Sequence, residues 1–346
     1  MTTLPRLRRR FTVLAAVTAA LLLTASCAGN GDESGDESGD TIRFALDWTP
    51  NTNHTGLYVA QQEGLFADAG LDVEFLPYNN TTPDTLVDAG NAEFGISTQA
   101  QATFSRAAGS RTVSVLAPLQ HWATGIAVKA DRADLTRPAD LDSRTYAGFG
   151  DPGDEETLAQ VIRNDGGRGD FTSVTLGTSA YEAVYSGTAD FTVSYLAWEG
   201  IEAEHRGLPM RYFRYTDYGF PDAYAIVVDG NEDWLAEHPD QARAFVQAVQ
   251  RGYEIAAQDP DRGARALIEA NPGAFSDEDL VYESQRMLST DYLRDENGRV
   301  GTLTLERWTG YSRFLFEKGL LSGPDGAPLT TEPDWSTYFT DDYLTP

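Results

Sequence analysis

The residues best suited to chemistry follow an apolar run that predicts a β-strand near the start of the globular sequence. The candidate ligand-binding residues there are Asp47, Trp48, Asn51, Asn53 and His54. The Trp48 ring offers a flat apolar face for stacking, and asparagine amides both donate and accept hydrogen bonds, which suits the edge of a heteroaromatic ring. We interpret this stretch as ligand-binding, although Pro50 and Asn51 also fit a simple turn before a capped helix.

A second stretch with suitable chemistry follows another apolar run and contains Tyr195, Trp198 and Glu199. A carboxylate in a cleft requires hydrogen-bond donors, and a nitrogen heteroaromatic ring with an exocyclic amine presents such a donor at its edge. We predict that Glu199 binds this edge while Trp198 or Tyr195 covers the ring. The alternative is an exposed acid in the first turn of a helix, where the helix dipole favours negative charge.

The sequence does not favour catalysis by His54. It has no nearby cysteine or serine nucleophile, and the remaining histidines lack metal-ligand spacing: His121, His205 and His238. We therefore expect His54 to form a hydrogen bond or to start a helix, and we expect no metal site.

Four further polar residues are secondary candidates for the ligand site. Ser97 and Thr98 follow a predicted strand, where they could bind ligand or cap the next helix. Asp222 and Tyr224 lie at a predicted chain crossing and could line the cleft, but there the hinge role is the preferred interpretation.

The loop Gly148–Phe149–Gly150 resembles a phosphate or sulfonate cradle before a helix. Four carboxylates crowd the start of that helix: Asp151, Asp154, Glu155 and Glu156. They repel the anion that a helix N-terminus attracts, so the sequence favours a neutral or cationic ligand. A Gly-x-Gly sequence by itself also fits an ordinary tight turn.

Short β-rich runs alternate with amphipathic helical runs along the chain, which predicts an α/β fold with helices on both faces of mostly parallel sheets. Two such series precede a helical tail. We predict two lobes, 41–122 plus 223–346 and 123–222, with central mixed sheets. The chain then crosses between the lobes twice, near 121–125 and 219–223. Ligands of open α/β sheets bind beyond the carboxyl ends of strands, so one cleft between the lobes is expected.

The N-terminus predicts export. An arginine-rich start and an apolar run precede Cys27, the only cysteine of the chain, which indicates a signal peptide over 1–27 with lipid attachment at Cys27. An ordinary secreted protein with an incidental cysteine is the alternative. Residues 28–40 are rich in glycine and acids and predict a flexible tether.

The formal net charge of −27 makes nucleic acid an unsuitable partner, because a polyanion is repelled by most of such a surface.

The segment LDWTPNTNHTGLYVAQQEGLFADAGLDVEF, residues 46–75, closely resembles the opening of thiamine-precursor-binding proteins. They are the pyrimidine-binding branch of a family that also holds fungal thiamine-pyrimidine synthases and alkanesulfonate-binding proteins. Further matching stretches are NAEFGIST (91–98), YLAWEGIEAE (195–204), GFPDAYAIVV (219–228) and YFTDDYL (338–344). The resemblance implies a type 2 periplasmic-binding-protein fold and a hinge. It also implies a binding protein for an aminopyrimidine thiamine precursor that serves an ABC permease and its ATPase. We further expect a monomer that is held at the membrane by the lipid on Cys27.

Two other functions remain open on this scaffold. The first is binding of another small ligand, such as an alkanesulfonate, a flavin precursor or a different aromatic. The second is an enzyme like the fungal synthases, in which a lysine carrying pyridoxal phosphate and a donor histidine occupy the stretch that aligns with FGISTQAQ. Ser97 and Gln101 stand at those places, and the cysteine-rich iron motif is missing from the sequence. Without the lysine no Schiff base forms, so we expect a non-enzymatic protein without a cofactor.

Overall fold

A computed structural model of the chain describes residues 41–151 and 153–345. The predicted signal peptide, the lipid-attachment residue Cys27 and the tether over 28–40 lie outside these described residues. Within the described part of the chain, no helix combines the length and the apolar character needed to cross a membrane.

Ten strands build the two sheets of the structure. The first sheet contains β1 (Ile42–Ala45), β2 (Val73–Leu76), β3 (Phe94–Ser97), β4 (Thr112–Leu119) and β10 (Ile226–Asn231). The second contains β5 (Thr124–Lys129), β6 (Thr145–Gly148), β7 (Thr172–Thr175), β8 (Phe191–Tyr195) and β9 (Met210–Arg214).

Helices connect and cover the strands. Those before β10 are α1 (Thr55–Gln62), α2 (Leu65–Asp68), α3 (Pro83–Asp88), α4 (Gln99–Ala107), α5 (Asp154–Asn164), α6 (Ala180–Tyr185) and α7 (Ile201–His205). Those after it are α8 (Glu232–Glu237), α9 (Pro239–Gln258), α10 (Pro260–Ala270), α11 (Glu278–Asp291) and α12 (Leu305–Glu317). Short 3-10 turns span Thr52–His54, Pro138–Leu141, Gly177–Ser179, Tyr215–Tyr218 and Trp335–Thr337, and a π-helical turn spans Leu196–Gly200.

The two sheets share one topology. Their strand orders are β2-β1-β3-β10-β4 and β7-β6-β8-β5-β9. In each sheet the first three strands run parallel, and the fourth is antiparallel to both of its neighbours. The fourth strand directly follows a crossing of the chain from the other sheet. This arrangement confirms the predicted α/β architecture with two mixed sheets. The predicted lobe limits of 41–122 plus 223–346 and 123–222 stay a prediction.

The core of the first sheet is an aromatic cluster around Phe245 of α9. Its ring centroid lies 4.3 Å from that of Phe94, 5.5 Å from that of Phe66 and 6.0 Å from that of Phe44. All four side chains are buried. Burial of apolar rings is the main stabilising contribution here, so this cluster fixes α9 against the sheet.

Helix α9 also positions α1, the helix that follows the first candidate loop. A Cβ atom at Gly252 would lie 2.0 Å from the carbonyl oxygen of Gly56, and a Cβ at Gly56 would lie 2.2 Å from the Tyr253 ring. Two glycines are therefore required for the close approach of these helices. The Tyr253 hydroxyl then donates a hydrogen bond of 2.6 Å to the carbonyl oxygen of Asn53, which ties the candidate loop to α9.

The amphipathic patterns of the sequence predict single helices over 232–258 and over 197–206, and the structure differs from both predictions. Residues 232–258 form two helices, α8 and α9, because Pro239 begins α9 and cannot donate the backbone hydrogen bond that a continuous helix needs. Residues 197–206 start instead with the π-helical turn that contains Glu199. π-Helical turns are rare in proteins, and those that occur often lie at functional sites.

Candidate ligand-binding cleft

The first candidate loop is organised by the buried His54. Its Nδ1 accepts a hydrogen bond of 3.3 Å from the backbone N–H of Asn51, so its Nε2 carries the proton and donates to Asp47 Oδ1 at 2.8 Å. His54 is fully buried, whereas Asp47 is partly exposed. The expected hydrogen-bonding and helix-start role thus describes His54, which orients the Asp47 carboxylate.

The side-chain amide of Asn51 makes its hydrogen bonds within the loop itself. Its Oδ1 accepts from the backbone N–H of Asn53 at 2.9 Å, and its Nδ2 donates to the carbonyl oxygen of Thr49 at 3.0 Å. The side chain is buried. The structure therefore assigns Asn51 to the turn, the alternative noted from the sequence, while the Asn53 side chain is partly exposed.

Trp48 is the exposed aromatic residue of this loop, with 44% of its surface accessible. Its ring lies against that of Tyr78, with centroids 5.5 Å apart and planes inclined by 33°. Sequence reasoning missed Tyr78, which follows β2 just as Trp48 follows β1. Because parallel neighbouring strands end at the same sheet edge, the position of Tyr78 was a usable signal.

The second candidate loop packs against helices that follow β10. The Trp198 ring lies 6.3 Å from that of Phe275 and contacts an apolar cluster that includes Tyr58, Leu267 and Val281. Tyr195 packs on the core of the first sheet. The second candidate loop, which follows a strand of the second sheet, therefore contacts the helices after β10 and the core of the first sheet.

Glu199 has a carboxylate oxygen without a partner. The residue is partly exposed, but its Oε2 is buried and accepts no hydrogen bond in the described part of the chain. Burial raises the pKa of Glu199 to about 7, against the opposing effects of backbone hydrogen bonds and of the Tyr181 hydroxyl beside it. An unpaired buried carboxyl oxygen is costly, so Oε2 can accept a hydrogen bond from a donor outside the described part of the chain. Tyr181 is a second residue that the sequence did not single out.

The Tyr195 hydroxyl connects the two candidate loops. Its pKa is raised by burial and by the neighbouring carboxylates of Asp47, Glu199, Asp151 and Asp154. Asp47 belongs to the first loop and Glu199 to the second, and both act on one hydroxyl group. The pKa of this one hydroxyl group therefore responds to charges on both loops, and the cleft between them stays a prediction.

Ser97 and Thr98 have roles inside the protein. The buried Ser97 Oγ donates to Asp84 Oδ2 at 2.9 Å, and Thr98 Oγ1 accepts from the backbone N–H of Gln101 at 3.1 Å. Thr98 thus caps α4, the alternative noted from the sequence. Ser97 hydrogen-bonds within the core, and its contact with ligand stays a prediction.

Asp222 and Tyr224 also have internal partners. Asp222 accepts hydrogen bonds from the backbone N–H of Trp122 at 3.0 Å and from His121 Nδ1 at 2.6 Å, so it ties one crossing to the other. Tyr224 is buried, and its hydroxyl accepts from the backbone N–H of Thr304 at 2.8 Å. These contacts fit the hinge role preferred for Asp222 and show that Tyr224 is a core residue, while contact of either residue with ligand stays a prediction.

Comparison with known proteins decides the family. The sequence profile described as NMT1/THI5 like matches residues 51–263. The chain belongs to the NMT1/THI5-like family. A relative named formylaminopyrimidine-binding protein, from Halalkalibacterium halodurans, is 31% identical over 88% of this chain and 93% of its own length.

The NMT1/THI5-like family also includes proteins named as enzymes. The 4-amino-5-hydroxymethyl-2-methylpyrimidine phosphate synthase of Uromyces fabae is 26% identical over 66% of this chain and 70% of its own length. Among solved structures, the alkanesulfonate-binding protein SsuA from Xanthomonas axonopodis pv. citri matches with a TM-score of 0.62 at 13% identity, over 88% of this chain and 98% of the other. This structural likeness confirms the predicted periplasmic-binding-protein fold.

The described residues of this NMT1/THI5-like protein contain no group of three or more His, Cys, Asp or Glu side chains arranged to hold a metal ion.

Proposed function

We propose that this protein binds an aminopyrimidine thiamine precursor in the cleft between the two candidate loops, as the solute-binding component of an ABC importer. The observation that carries the proposal is the buried, unpartnered Oε2 of Glu199. A 4-aminopyrimidine edge offers an N–H donor beside a ring nitrogen. With a pKa of about 7, Glu199 holds or releases a proton near neutrality and can serve both atoms of that edge.

The aromatic residues supply the faces for the ring. Trp48 is exposed at the end of β1, and Tyr195 lies between the acidic groups of both loops. Stacking of an aromatic ring contributes about 0.5–1.5 kcal/mol beyond the burial of apolar area. The name of the relative at 31% identity supports the same ligand class.

We further propose an extracytoplasmic location with a lipid anchor at Cys27, and a monomer that delivers ligand to a permease and its ATPase. The basic and apolar start of the sequence supports export. A non-enzymatic role is part of the proposal, because Ser97 hydrogen-bonds Asp84 in the core and supplies no amine for a Schiff base.

Isothermal titration with 4-amino-5-hydroxymethyl-2-methylpyrimidine tests the proposal on the purified protein. Glu199→Gln keeps the shape and a neutral donor and acceptor, but it removes the charge-assisted hydrogen bond of a carboxylate, and we expect the dissociation constant to rise about tenfold or more, at about 1.4 kcal/mol per decade. The matched control is Glu204→Gln, an exposed acid on the adjoining helix α7, which should leave the dissociation constant unchanged.

The second candidate function is binding of another small ligand on the same scaffold. A thermal-shift screen of pyrimidines, alkanesulfonates and flavins separates the two, because a ligand that binds the folded state raises the melting temperature. Stabilisation by a sulfonate with no response to pyrimidines would replace the aminopyrimidine proposal. The acidic groups around Tyr195 favour the pyrimidine.

A further inference from the structure

The 3-10 turn Thr52–His54 sets the direction of a free acceptor in the first candidate loop. His54 at its end holds Asp47 Oδ1 at 2.8 Å, whereas Asp47 Oδ2 has no hydrogen-bond partner among the described residues. The Asp47 side chain is 28% exposed, so this second oxygen can accept a hydrogen bond from a bound molecule. Whatever fixes the turn therefore also fixes the direction of this acceptor.

A serine of helix α11 holds the first residue of this turn. The Oγ atom of Ser284 lies 2.6 Å from Oγ1 of Thr52, and both side chains are buried. In the described part of the chain, neither hydroxyl group has another hydrogen-bond partner. Each hydroxyl group is therefore satisfied by the other, and loss of one would leave the other buried and unpaired.

Two further contacts act on the middle residue of the turn. Asn53 donates its backbone N–H to Asn51 Oδ1 at 2.9 Å, and its carbonyl oxygen accepts from the Tyr253 hydroxyl at 2.6 Å. Neither contact involves α11. Across the residues that the structure describes, the Thr52–Ser284 pair is thus the hydrogen bond that joins the turn to α11.

Helix α11 also contacts the second candidate loop. Val281, three residues before Ser284, belongs to the apolar cluster that Trp198 contacts. Phe275, which precedes α11, has its ring centroid 6.3 Å from that of Trp198. Because positions three apart are neighbours on a helix surface, the contacts to both loops lie on adjacent turns of one helix face. A single rigid element therefore relates the position of one loop to that of the other.

We propose that Ser284 is a positioning residue of the ligand site, which through Thr52 fixes the direction of the Asp47 carboxylate. The inference rests on the proposed pyrimidine function and adds to it a second donor that the ligand must carry. Glu199 binds the amino edge of the ring, and Asp47 Oδ2 accepts a hydrogen bond from a substituent outside that edge. Hydrogen bonds weaken steeply when their angle departs from linear, so a turn that shifts without Ser284 loses this contact while the contact with Glu199 is kept.

Titration calorimetry with two pyrimidines tests this role. The first is 4-amino-5-hydroxymethyl-2-methylpyrimidine, whose hydroxyl group can donate to Asp47, and the second is 4-amino-2,5-dimethylpyrimidine, which lacks that donor. For the wild-type protein we expect the hydroxymethyl compound to bind about tenfold more tightly, because its hydroxyl group bonds a charged acceptor. In Ser284→Ala we expect this preference to fall to about threefold or less, with binding of the dimethyl compound nearly unchanged.

Ser289→Ala is the matched control, because Ser289 is a second buried serine of α11. Its hydroxyl group donates to the carbonyl oxygen of Ala256 at 2.9 Å and accepts from Gln285 Nε2 at 3.1 Å, and neither partner belongs to a candidate loop. The control should lose stability but keep the wild-type preference. Proton NMR gives a second readout, since the signal of the imidazole N–H that His54 donates should shift or broaden in Ser284→Ala and stay unchanged in the control.

The outcomes separate this inference from the proposed function. An unchanged preference and an unchanged His54 signal in Ser284→Ala overturn the positioning role and leave the proposed function in place. The same loss of preference in Ser289→Ala also overturns it, because the cause is then a general loosening of α11. Equal binding of the two pyrimidines by the wild-type protein removes the Asp47 contact, and no binding of either overturns both proposals. Thr52→Val removes the same hydrogen bond from the other side and decides the question if Ser284→Ala does not fold.

Discussion

His205 Nδ1 lies 2.7 Å from Asp277 Oδ2, and this contact joins helix α7, which lies between β8 and β9 of the second sheet, to the N-cap of α11. The opposite ring nitrogen lies 3.2 Å from Glu283 Oε2. A protonated imidazole therefore lies between two carboxylates of α11 and its N-cap, and it forms ion pairs at one side of the contact between α7 and α11.

Removal of the His205 contacts should lower the melting temperature only at acidic pH. The hydrogen bonds to Asp277 and Glu283 raise the pKa of His205. A raised pKa means that the stabilisation is fully present below the unfolded-state value of about 6.5 and is lost as the pH rises through the folded-state value. We expect His205→Ala to lower the melting temperature at pH 5.5 and to have little effect at pH 9. The effect should shrink in high salt because these groups are exposed.

Asp277→Asn removes the other partner of this ion pair, because asparagine can still cap α11 but carries no charge, and it should lower the melting temperature at pH 5.5 as His205→Ala does. The neighbouring exposed Asp279→Asn is its control. A pH-independent loss in His205→Ala would contradict the ion-pair explanation.

The buried carboxyl groups of Asp84 and Asp229 should make a contribution to stability that falls with rising pH. Burial raises the pKa of both, and each also hydrogen-bonds a serine, Ser97 or Ser114. The folded state therefore retains a proton that the unfolded chain releases above its ordinary carboxyl range, so the contribution of these two groups is largest at low pH and is lost as the pH rises through the raised pKa.

Asp84→Asn replaces one of these two buried carboxyl groups by an uncharged amide of similar size. We expect it to flatten this dependence, so that urea midpoints for the variant and the wild type diverge in favour of the variant between pH 5 and pH 8. The exposed Asp68→Asn is the control and should follow the wild type. A variant that loses the same stability at every pH would mean that packing, not ionisation, dominates at this pair.

Trp48 should report ligand binding by its fluorescence. Its ring is exposed and lies against Tyr78, so a stacked ligand changes its surroundings more than those of the buried Trp308. We expect Trp48→Ala to weaken pyrimidine binding by about tenfold and to abolish the fluorescence change, with an unchanged melting temperature. Tyr78→Phe is the milder companion. A full fluorescence response in Trp48→Ala would place the ligand elsewhere.

Gly252→Ala should destabilise the protein by separating α1 from α9. Its Cβ would lie 2.0 Å from the Gly56 carbonyl oxygen, and relief of such overlap costs about 1–3 kcal/mol or more. Gly310→Ala, in helix α12, is the control because the nearest contact of its Cβ is 3.3 Å from Pro221. Urea denaturation measures both. Equal effects of the two substitutions would remove the close helix approach as the cause.

The sequence by itself determined the α/β architecture, most of the elements and the position of the two candidate loops. Local hydrophobic patterns predict the alternation of strands and helices. Trp48 and Glu199 each lie within a few residues after such a strand. The expectation of a neutral or cationic ligand likewise came from the acids after Gly150, which are neighbours in the chain.

The tertiary structure alone decided which polar groups are free and which have partners. Ser97 meets Asp84, and Tyr224 meets Thr304 across 80 positions of the chain. Tyr311 reaches the start of α5 from a helix more than 150 positions away. Such contacts depend on how sheets and helices pack, which local periodicity does not encode, because each side chain is satisfied by whatever group the fold brings to it.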